Sequence, residues 1–399
     1  MSDLHYTLLW RQSDWGFYGR RNEVFAHELA SRSDVGNVLH VEPVSVPELG
    51  RYAKKWMKAR RPAFRQAYAK QLVKALPRIQ FIKVKKNLYI TSVVVLANRD
   101  FLTPVRWINQ WLVHFQMLQI RRIRSRSFGK GCHCTIAYVP SAYLSTALDV
   151  LPADIVVADL IDDVLAQVND PRRQQLLKRS YVDVLPRCAY AFATSPHVAK
   201  KFQHYTNSGI DVIRNGVYVN GSEASEQSNT QTVGYVGMIN HTMNVELVEF
   251  VVKQFPSVHF KLAGPVHPDL ENEIAFIRKQ ENVEFLGPLL KSEVPPFLRK
   301  CTVLMSFKRS DDVTAGNDSM KIYEYLASGR PIVSTPVAPA DRLSHVVYTA
   351  DNPAEFVKQL DRALNESDPA CQEARLQQAQ DNAWENRINT FTEKIKTYL

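Results

Sequence analysis

Gly316-Asn317-Asp318-Ser319-Met320-Lys321-Ile322-Tyr323-Glu324-Tyr325-Leu326-Ala327-Ser328-Gly329-Arg330-Pro331 is a stretch that marks its own limits. Asp318 or Ser319 can cap a helix that Gly329 and then Pro331 bring to an end, so the residues predict a helix over 320–328 and a strand over 332–334. Lys321 and Glu324 stand three apart and share a face, with Met320, Tyr323 and Ala327 as the neighbouring buried stripe. A helix N-terminus with free backbone N–H groups and a lysine is a natural diphosphate site, and Glu324, a turn deeper, can accept hydrogen bonds from ribose hydroxyls. A solvated Lys–Glu pair on an ordinary helix fits the same residues.

Upstream the same strand-then-helix rhythm repeats. Strands over 232–235, 259–263, 283–286 and 303–307 alternate with helices over 244–254, 269–279 and 294–300. Before them, residues 220–230 are polar and rich in Ser, Glu, Asn and Gln, a composition shift that reads as a domain boundary. The N-terminal half has its own series: strands over 37–41, 88–96, 135–139, 155–158 and 189–194, helices over 20–31 and 105–124, and a basic helix over 52–76 punctuated by Pro62 and Pro77. Ser195-Pro196 is a helix start, with Ser195 as cap and Pro196 in the first turn. Alternation on both sides of a linker predicts two doubly wound parallel sheets, with ligands at the carboxyl ends of the strands. The expected division is an N-terminal domain over 1–205, a linker over 206–230, a C-terminal domain over 231–375 and a final helical segment over 376–399.

The chain has 399 residues, enough for two ordinary cores, with 45% apolar and 23% charged residues. No segment reaches the roughly 18 uninterrupted apolar residues of a membrane span, and the N-terminus lacks the plan of a secretory signal. Five cysteines suit a reducing compartment, and the expected location is the cytoplasm, peripheral at most on the inner membrane face. Cys132-His133-Cys134 is too tightly spaced for the usual zinc pattern and no second ligand pair follows; with no Asp-x-Asp on a suitable strand end either, no metal and no cofactor is expected. The net charge of +10 is concentrated. Residues 51–86 hold thirteen Lys and Arg and no acid, and Arg121, Arg122, Arg124, Arg126 and Lys130 form a second cluster. Such a field attracts phosphate, and Trp56, Phe64 and Tyr68 among the lysines suit an anionic lipid surface. Nucleic acid is the poorer partner, because no nucleic-acid motif accompanies the charge.

The 316–331 stretch resembles the donor-binding helix of GT-B glycosyltransferases, whose pattern closes in Glu-x-x-Ala-x-Gly-x-Pro. Val233-Gly234-Tyr235-Val236-Gly237, Leu262-Ala263-Gly264, Val283-Glu284-Phe285-Leu286-Gly287-Pro288 and Ile213-Arg214-Asn215-Gly216-Val217 are similar to that family's other signatures, in the order it requires. The resemblance implies two Rossmann-like domains facing a central cleft, a nucleotide-sugar donor, a UDP-sugar for preference, and a saccharide or lipid-linked saccharide acceptor in cell-surface polysaccharide synthesis. The retaining branch of this fold has a further glutamate where this chain has Gly316. The Asp-Ser-Met-Lys wording instead resembles inverting bacterial enzymes such as the xanthan glucuronosyltransferase, in which Lys321 would hold the diphosphate beside Ser319 and Met320, with Gly237 and Met238 lining the same site. Epimerases and phosphorylases share the fold, and a non-catalytic relative is a further alternative.

Inversion needs a base near the acceptor hydroxyl. Asp159, Asp162 and Asp163 follow a strand, resemble a recurrent Asp-x-x-Asp-Asp, and make Asp162 the expected base. Asp162 or Asp163 can equally cap the next helix. In the loop after the strand-like opening His5-Tyr6-Thr7-Leu8-Leu9-Trp10, Asp14, Arg20 and Arg21 are candidate acceptor contacts, and Arg20 and Arg21 equally fit a solvated first helical turn. His241 is a candidate sugar contact, or an ordinary loop histidine.

Overall fold

The computed structural model describes residues 4–74, 80–96, 106–219 and 231–399. Expectations placed on Pro77, Arg78, the start of the 105–124 helix and the polar 220–230 segment lie outside those residues. The chain divides into two units, Met1–Ile213 with Ile388–Leu399, and Arg214–Arg387.

The first unit runs β1 (Leu4–Leu9), α1 (Arg21–Leu29), β2 (Val35–Ser45), α2 (Val46–Lys58), α3 (Pro62–Lys74), β3 (Ile82–Lys85), β4 (Leu88–Val95), α4 (Arg106–Ser127), β5 (Cys132–Ala137), α5 (Leu144–Val150), β6 (Ile155–Leu160), α6 (Pro171–Val184), β7 (Tyr190–Ala193), α7 (Pro196–Phe202) and β8 (Ile210–Val212). Its sheet has the order β3-β4-β2-β1-β5-β6-β7-β8, parallel throughout except for the antiparallel edge strand β3. β1 is buried along its whole length, as a central strand covered on both faces must be. One face packs Val113, Met117 and Ile120 of α4 with Tyr143, Leu144, Tyr181 and Phe202. Helix starts follow the sequence: Ser45 and Glu48 form a reciprocal capping box at α2, and Ser195 accepts the Val198 N–H at 3.2 Å with Pro196 behind it.

Three expectations change. The basic helix breaks in two, because Pro62 forces residues before it out of helical geometry and Ala59 turns extended. β8 pairs with β7 inside the first sheet, so residues 210–212 belong to a sheet rather than to the expected linker. The helix expected over 269–279 is a 3-10 turn at Pro268–Leu270 and a single turn, α9 (Ala275–Arg278).

The second unit continues with β9 (Thr232–Val236), α8 (Val245–Gln254), β10 (His259–Ala263), α9, β11 (Val283–Gly287), α10 (Val294–Lys300), β12 (Val303–Ser306), α11 (Asp312–Ala315), α12 (Met320–Ala327), β13 (Ile332–Ser334), β14 (Tyr348–Thr349), α13 (Pro353–Leu364), α14 (Pro369–Asp381) and α15 (Trp384–Lys396). The final segment over 376–399 is thus the end of α14 and a separate helix, of which residues 388–399 join the first unit. The sheet order β11-β10-β9-β12-β13-β14, all parallel, is the doubly wound order 3-2-1-4-5-6. Winding reverses between β9 and β12, and ligands of such sheets sit beyond the carboxyl ends of the strands flanking that point.

Candidate functional site

At the end of β9 the chain turns at Gly237, with φ +147°, and the loop after β10 turns at Gly264, with φ +149°. The two are stacked: Gly237 donates its N–H to Ala263 at 2.9 Å, and a Cβ on Gly264 would lie 1.8 Å from the Gly237 carbonyl oxygen. A Cβ on Gly237 would in turn lie 2.5 Å from Lys321 Nζ. Both glycines are therefore demanded by backbone angle, and Gly264 also by the close approach of the Gly237 backbone. The space they leave is filled from one side by Lys321, in the first turn of α12.

Lys321 donates to the Tyr235 hydroxyl at 2.9 Å and lies 4.2 Å above that ring, which is stacked on Phe307 at 4.6 Å. Burial drives its pKa down to about 8, against the pull of Glu324 in the opposite direction. Burial also pushes the Tyr235 phenol up to about 12, so it stays neutral beside the ammonium. An ammonium aimed at a strand-end glycine without a full counter-charge suits an anionic ligand. Ser319 takes the N-cap position of α12 but makes no side-chain cap bond, and Met320 beside it is half-buried. The first turn is left for a ligand's oxygens.

Asp318 has another task than capping. It is buried, accepts the Asn215 N–H at 2.6 Å and the Tyr323 hydroxyl at 2.8 Å, while Asn215 Nδ2 donates to the Asp318 carbonyl at 2.6 Å. The Asn-Gly-Val signature is thereby fastened to the residues before α12. Burial raises the Asp318 carboxyl above its ordinary range. The buried stripe of α12 is Ile322, Tyr323, Tyr325 and Leu326, whereas Met320 and Ala327, the first and last residues of the helix, are half-buried. Glu324 parts company with Lys321: its carboxylate pairs with Lys291, a residue the sequence did not single out. Met238 is 45% exposed, as a ligand-facing loop residue should be.

His241 is exposed. A bridge between Ile239 and Val266, with His267 donating its N–H to Ile239 at 2.8 Å, sets it beside His267, ring centroids 5.1 Å apart, and Asp269. One ligand atom from each of the three falls within 4.8 Å of the others, the one such group among the described residues.

In the first unit the candidate carboxylates divide by surroundings. Asp159, at the end of β6, is fully enclosed and paired with buried Arg21 at 2.7 Å, burial holding its pKa above the ordinary value despite that guanidinium. Arg21 also lies 4.6 Å over the Phe25 ring, so it is no solvated first-turn residue. Asp163 is 1% exposed, accepts the Ala166 N–H at 3.1 Å as a turn cap and pairs with Lys201. Asp162 alone of the three reaches solvent, its side chain 27% exposed, with Oδ2 2.9 Å from Arg11. Asp14 is buried and accepts from Trp10 Nε1 at 2.8 Å and Gln12 Nε2 at 2.6 Å, with Arg20 at 2.7 Å. Arg20 remains 39% exposed.

Comparison with known proteins adds to this geometry. Residues 230–366 match the family model of glycosyl transferases group 1. A search of curated proteins gives no match. Among solved structures, sucrose-phosphate synthase from Thermosynechococcus elongatus superposes with TM-score 0.67 at 12% identity, covering 98% of both chains. Anabaena HepE in complex with UDP and glucose gives 0.66 at 14%, covering 99% of this chain and 100% of its own. A trehalose-6-phosphate synthase studied for glycosyl transfer with retention gives 0.62 at 12%, covering 98% and 99%. β9, the strand-end glycines and the Lys321 helix all fall inside the matched 230–366 segment, and the chain as a whole has the fold of the GT-B glycosyltransferases, with group 1 glycosyl transferases as the family its second unit matches.

Proposed function

We propose that this protein moves a sugar from a UDP-sugar to a hydroxyl of a saccharide or lipid-linked saccharide, in the synthesis of a cell-surface polysaccharide. The observation that carries the reading is Lys321, poised over Gly237 at the winding reversal of the second sheet and beside the uncapped first turn of α12. There the donor diphosphate takes its charge compensation from the Lys321 ammonium and from backbone N–H groups of Met320 and its neighbours, with Ser319 and Met238 alongside. These groups supply that compensation without a metal. Glu324, with Lys291, suits the ribose hydroxyls, and the exposed His241 suits the sugar.

Transfer then proceeds with Asp162 taking the proton from the acceptor hydroxyl as its oxygen bonds to the sugar C1. The C1–O bond to the diphosphate breaks, and UDP leaves with its new charge facing Lys321. Asp162 is favoured over Asp159 and Asp163 because its carboxylate reaches solvent while theirs are enclosed with counter-charges. Arg21 and Asp14 then hold the loops in place, and Arg20 is left for the acceptor. An acceptor on a lipid carrier places the enzyme at the inner face of the membrane, to which the basic 51–86 stretch is attracted.

A thermal-shift titration with UDP, GDP, ADP and CMP tests the donor site: UDP should raise the melting temperature of the unaltered chain and leave Lys321→Ala unmoved. No response to any of the four sinks the reading. Release of UDP with a glycosylated acceptor separates transfer from epimerisation or phosphorolysis. The retaining neighbour favours a second reading of the stereochemistry, and the anomeric configuration of the product decides it.

A further inference from the structure

The helix α4 is 22 residues long and contains five arginines and neither Asp nor Glu. One side of it is fixed to the first sheet. Val113, Met117 and Ile120 are buried, the Gln116 side chain accepts the Val94 N–H and donates to the Val94 carbonyl, both at 2.9 Å, and Asn109 accepts the Leu96 N–H at 2.8 Å. Arg124, near the other end, donates to Thr7 Oγ1 at 3.1 Å. These anchors leave no freedom in how the helix is rotated about its axis.

At about 100° per residue, that rotation puts Trp107, Trp111, Phe115 and Leu118 within an arc of about 80°, diametrically opposite the anchored face. They are 69%, 67%, 51% and 42% exposed, and the Trp111 and Phe115 rings stack at 6.1 Å. Single apolar residues on a surface are ordinary, but a row of four over three turns, two of them tryptophan, marks a contact surface. The surrounding charge selects the occupant. Arg122 falls on the same arc and Arg121 and Arg126 are exposed next to it. β2 and β4 are neighbours in the sheet, with Ser45 paired to Val95, and α2 leaves directly from Ser45 carrying exposed Lys54, Lys55 and Lys58. A second copy of the chain would meet this field with the same sign, whereas anionic lipid neutralises it. Tryptophan is moreover the residue that settles at a bilayer interface.

We propose that α4 is the element that enters an anionic membrane surface, with Trp107, Trp111, Phe115 and Leu118 in the interfacial layer and the basic α2–α3 hairpin supplying attraction. This deepens the membrane part of the functional reading and rests on it. It also moves the aromatic contact away from the basic hairpin, whose aromatics are already occupied: Arg65 lies 5.0 Å over Trp56, Arg61 4.9 Å over Phe64, and Tyr68 packs 5.2 Å from Phe17.

The test is flotation of the full chain on vesicles of one part phosphatidylglycerol to two parts phosphatidylcholine, with the UDP thermal shift as an independent check of folding and of the donor site. The unaltered chain should float. Trp107→Ala with Trp111→Ala should lower the partition coefficient about tenfold or more while keeping the UDP response, since each side chain withdraws much of its large apolar area from water. Bromine-labelled phosphatidylglycerol should quench the tryptophan fluorescence of the unaltered chain, and should fail to quench the double variant. The proposal is overturned if the double variant floats as well as the parent, if the parent ignores anionic vesicles, or if the substitutions turn a lipid-free dimer into a monomer. Flotation that survives without any UDP response would uphold this surface and remove the donor reading instead.

Discussion

Raising the pH from 7 to 9 should weaken UDP binding about tenfold, and the loss should belong to Lys321. Its pKa lies at about 8 because the side chain has given up water at the end of β9, with only Glu324 pulling the other way. About nine in ten molecules therefore carry the charge at pH 7 and about one in ten at pH 9. A bound diphosphate restores the charge, and a charge-assisted contact worth about 2.7 kcal/mol lifts the bound-state value by about two units. Kd then scales as the ratio of the unprotonated-plus-protonated sums in the free and bound states, from about 1.1 times its low-pH value at pH 7 to about 10 times at pH 9. Tyr235, at about 12, does not titrate in this window. Isothermal titration in two buffers of different ionisation enthalpy counts the protons directly: uptake on binding should grow from about 0.1 at pH 7 to about 0.8 at pH 9. Lys321→Ala should bind about 10- to 100-fold more weakly at pH 7 and show no slope. A level Kd in the unaltered chain, or a slope that survives in the variant, refutes the argument.

Gly264→Ala should lose at least about 2 kcal/mol in a urea melt and abolish the UDP response, because the backbone angle and the Gly237 carbonyl leave no place for a Cβ. Asp162→Asn should lower kcat by about 10²- to 10⁴-fold with UDP affinity unchanged, measured by product formation and calorimetry. A mutant that transfers at the parent rate removes Asp162 as base. Asp159→Asn should do the opposite, costing about 3–5 kcal/mol of folding stability because a neutral amide replaces the carboxylate that is paired at 2.7 Å with the buried Arg21 guanidinium. Prolonged EDTA treatment should leave the transfer rate within twofold, while a collapse restored by a divalent cation would direct attention to His241, His267 and Asp269.

How far the sequence could be read depended on the range of the interaction. Helix ends are written locally, and Ser195-Pro196 and the Gly329-Arg330-Pro331 stop stand where the residue types put them, whereas the Ser45–Glu48 box starts α2 six residues before the expected 52. The fold was legible because strand and helix alternation is also local, and the strand-end glycines carried the site because their left-handed angles leave few other residues possible. Partners far along the chain were not legible. Nothing near Lys321 names Tyr235, 86 residues away, and nothing near Glu324 names Lys291. Arg21 and Asp159 were each singled out for separate reasons, and only the sheet brings them together across 138 residues. Asp318 reads as a cap by type, yet its buried carboxylate accepts instead from Tyr323, five residues on, and from Asn215, 103 residues away and invisible to local reading. The exposed row on α4 follows the same rule: helical spacing shows four apolar residues in line, and only the anchors on the other side reveal that the line faces outward.

The first unit is closed by residues Ile388–Leu399, which follow the second unit in sequence. Phe391 of α15 is fully buried, 5.2 Å from Phe25 and 4.9 Å from Phe192, with Ile388 and Ile395 enclosed beside it. During synthesis these residues are made after the whole of the second unit, so the N-terminal unit emerges first and yet waits, its apolar seam open, until the second unit has been made. The order of folding is thus inverted relative to the order of translation: the second unit can finish ahead of the first. A chain truncated just before Ile388 and released should have a second half that resists protease and a first half that is still cut.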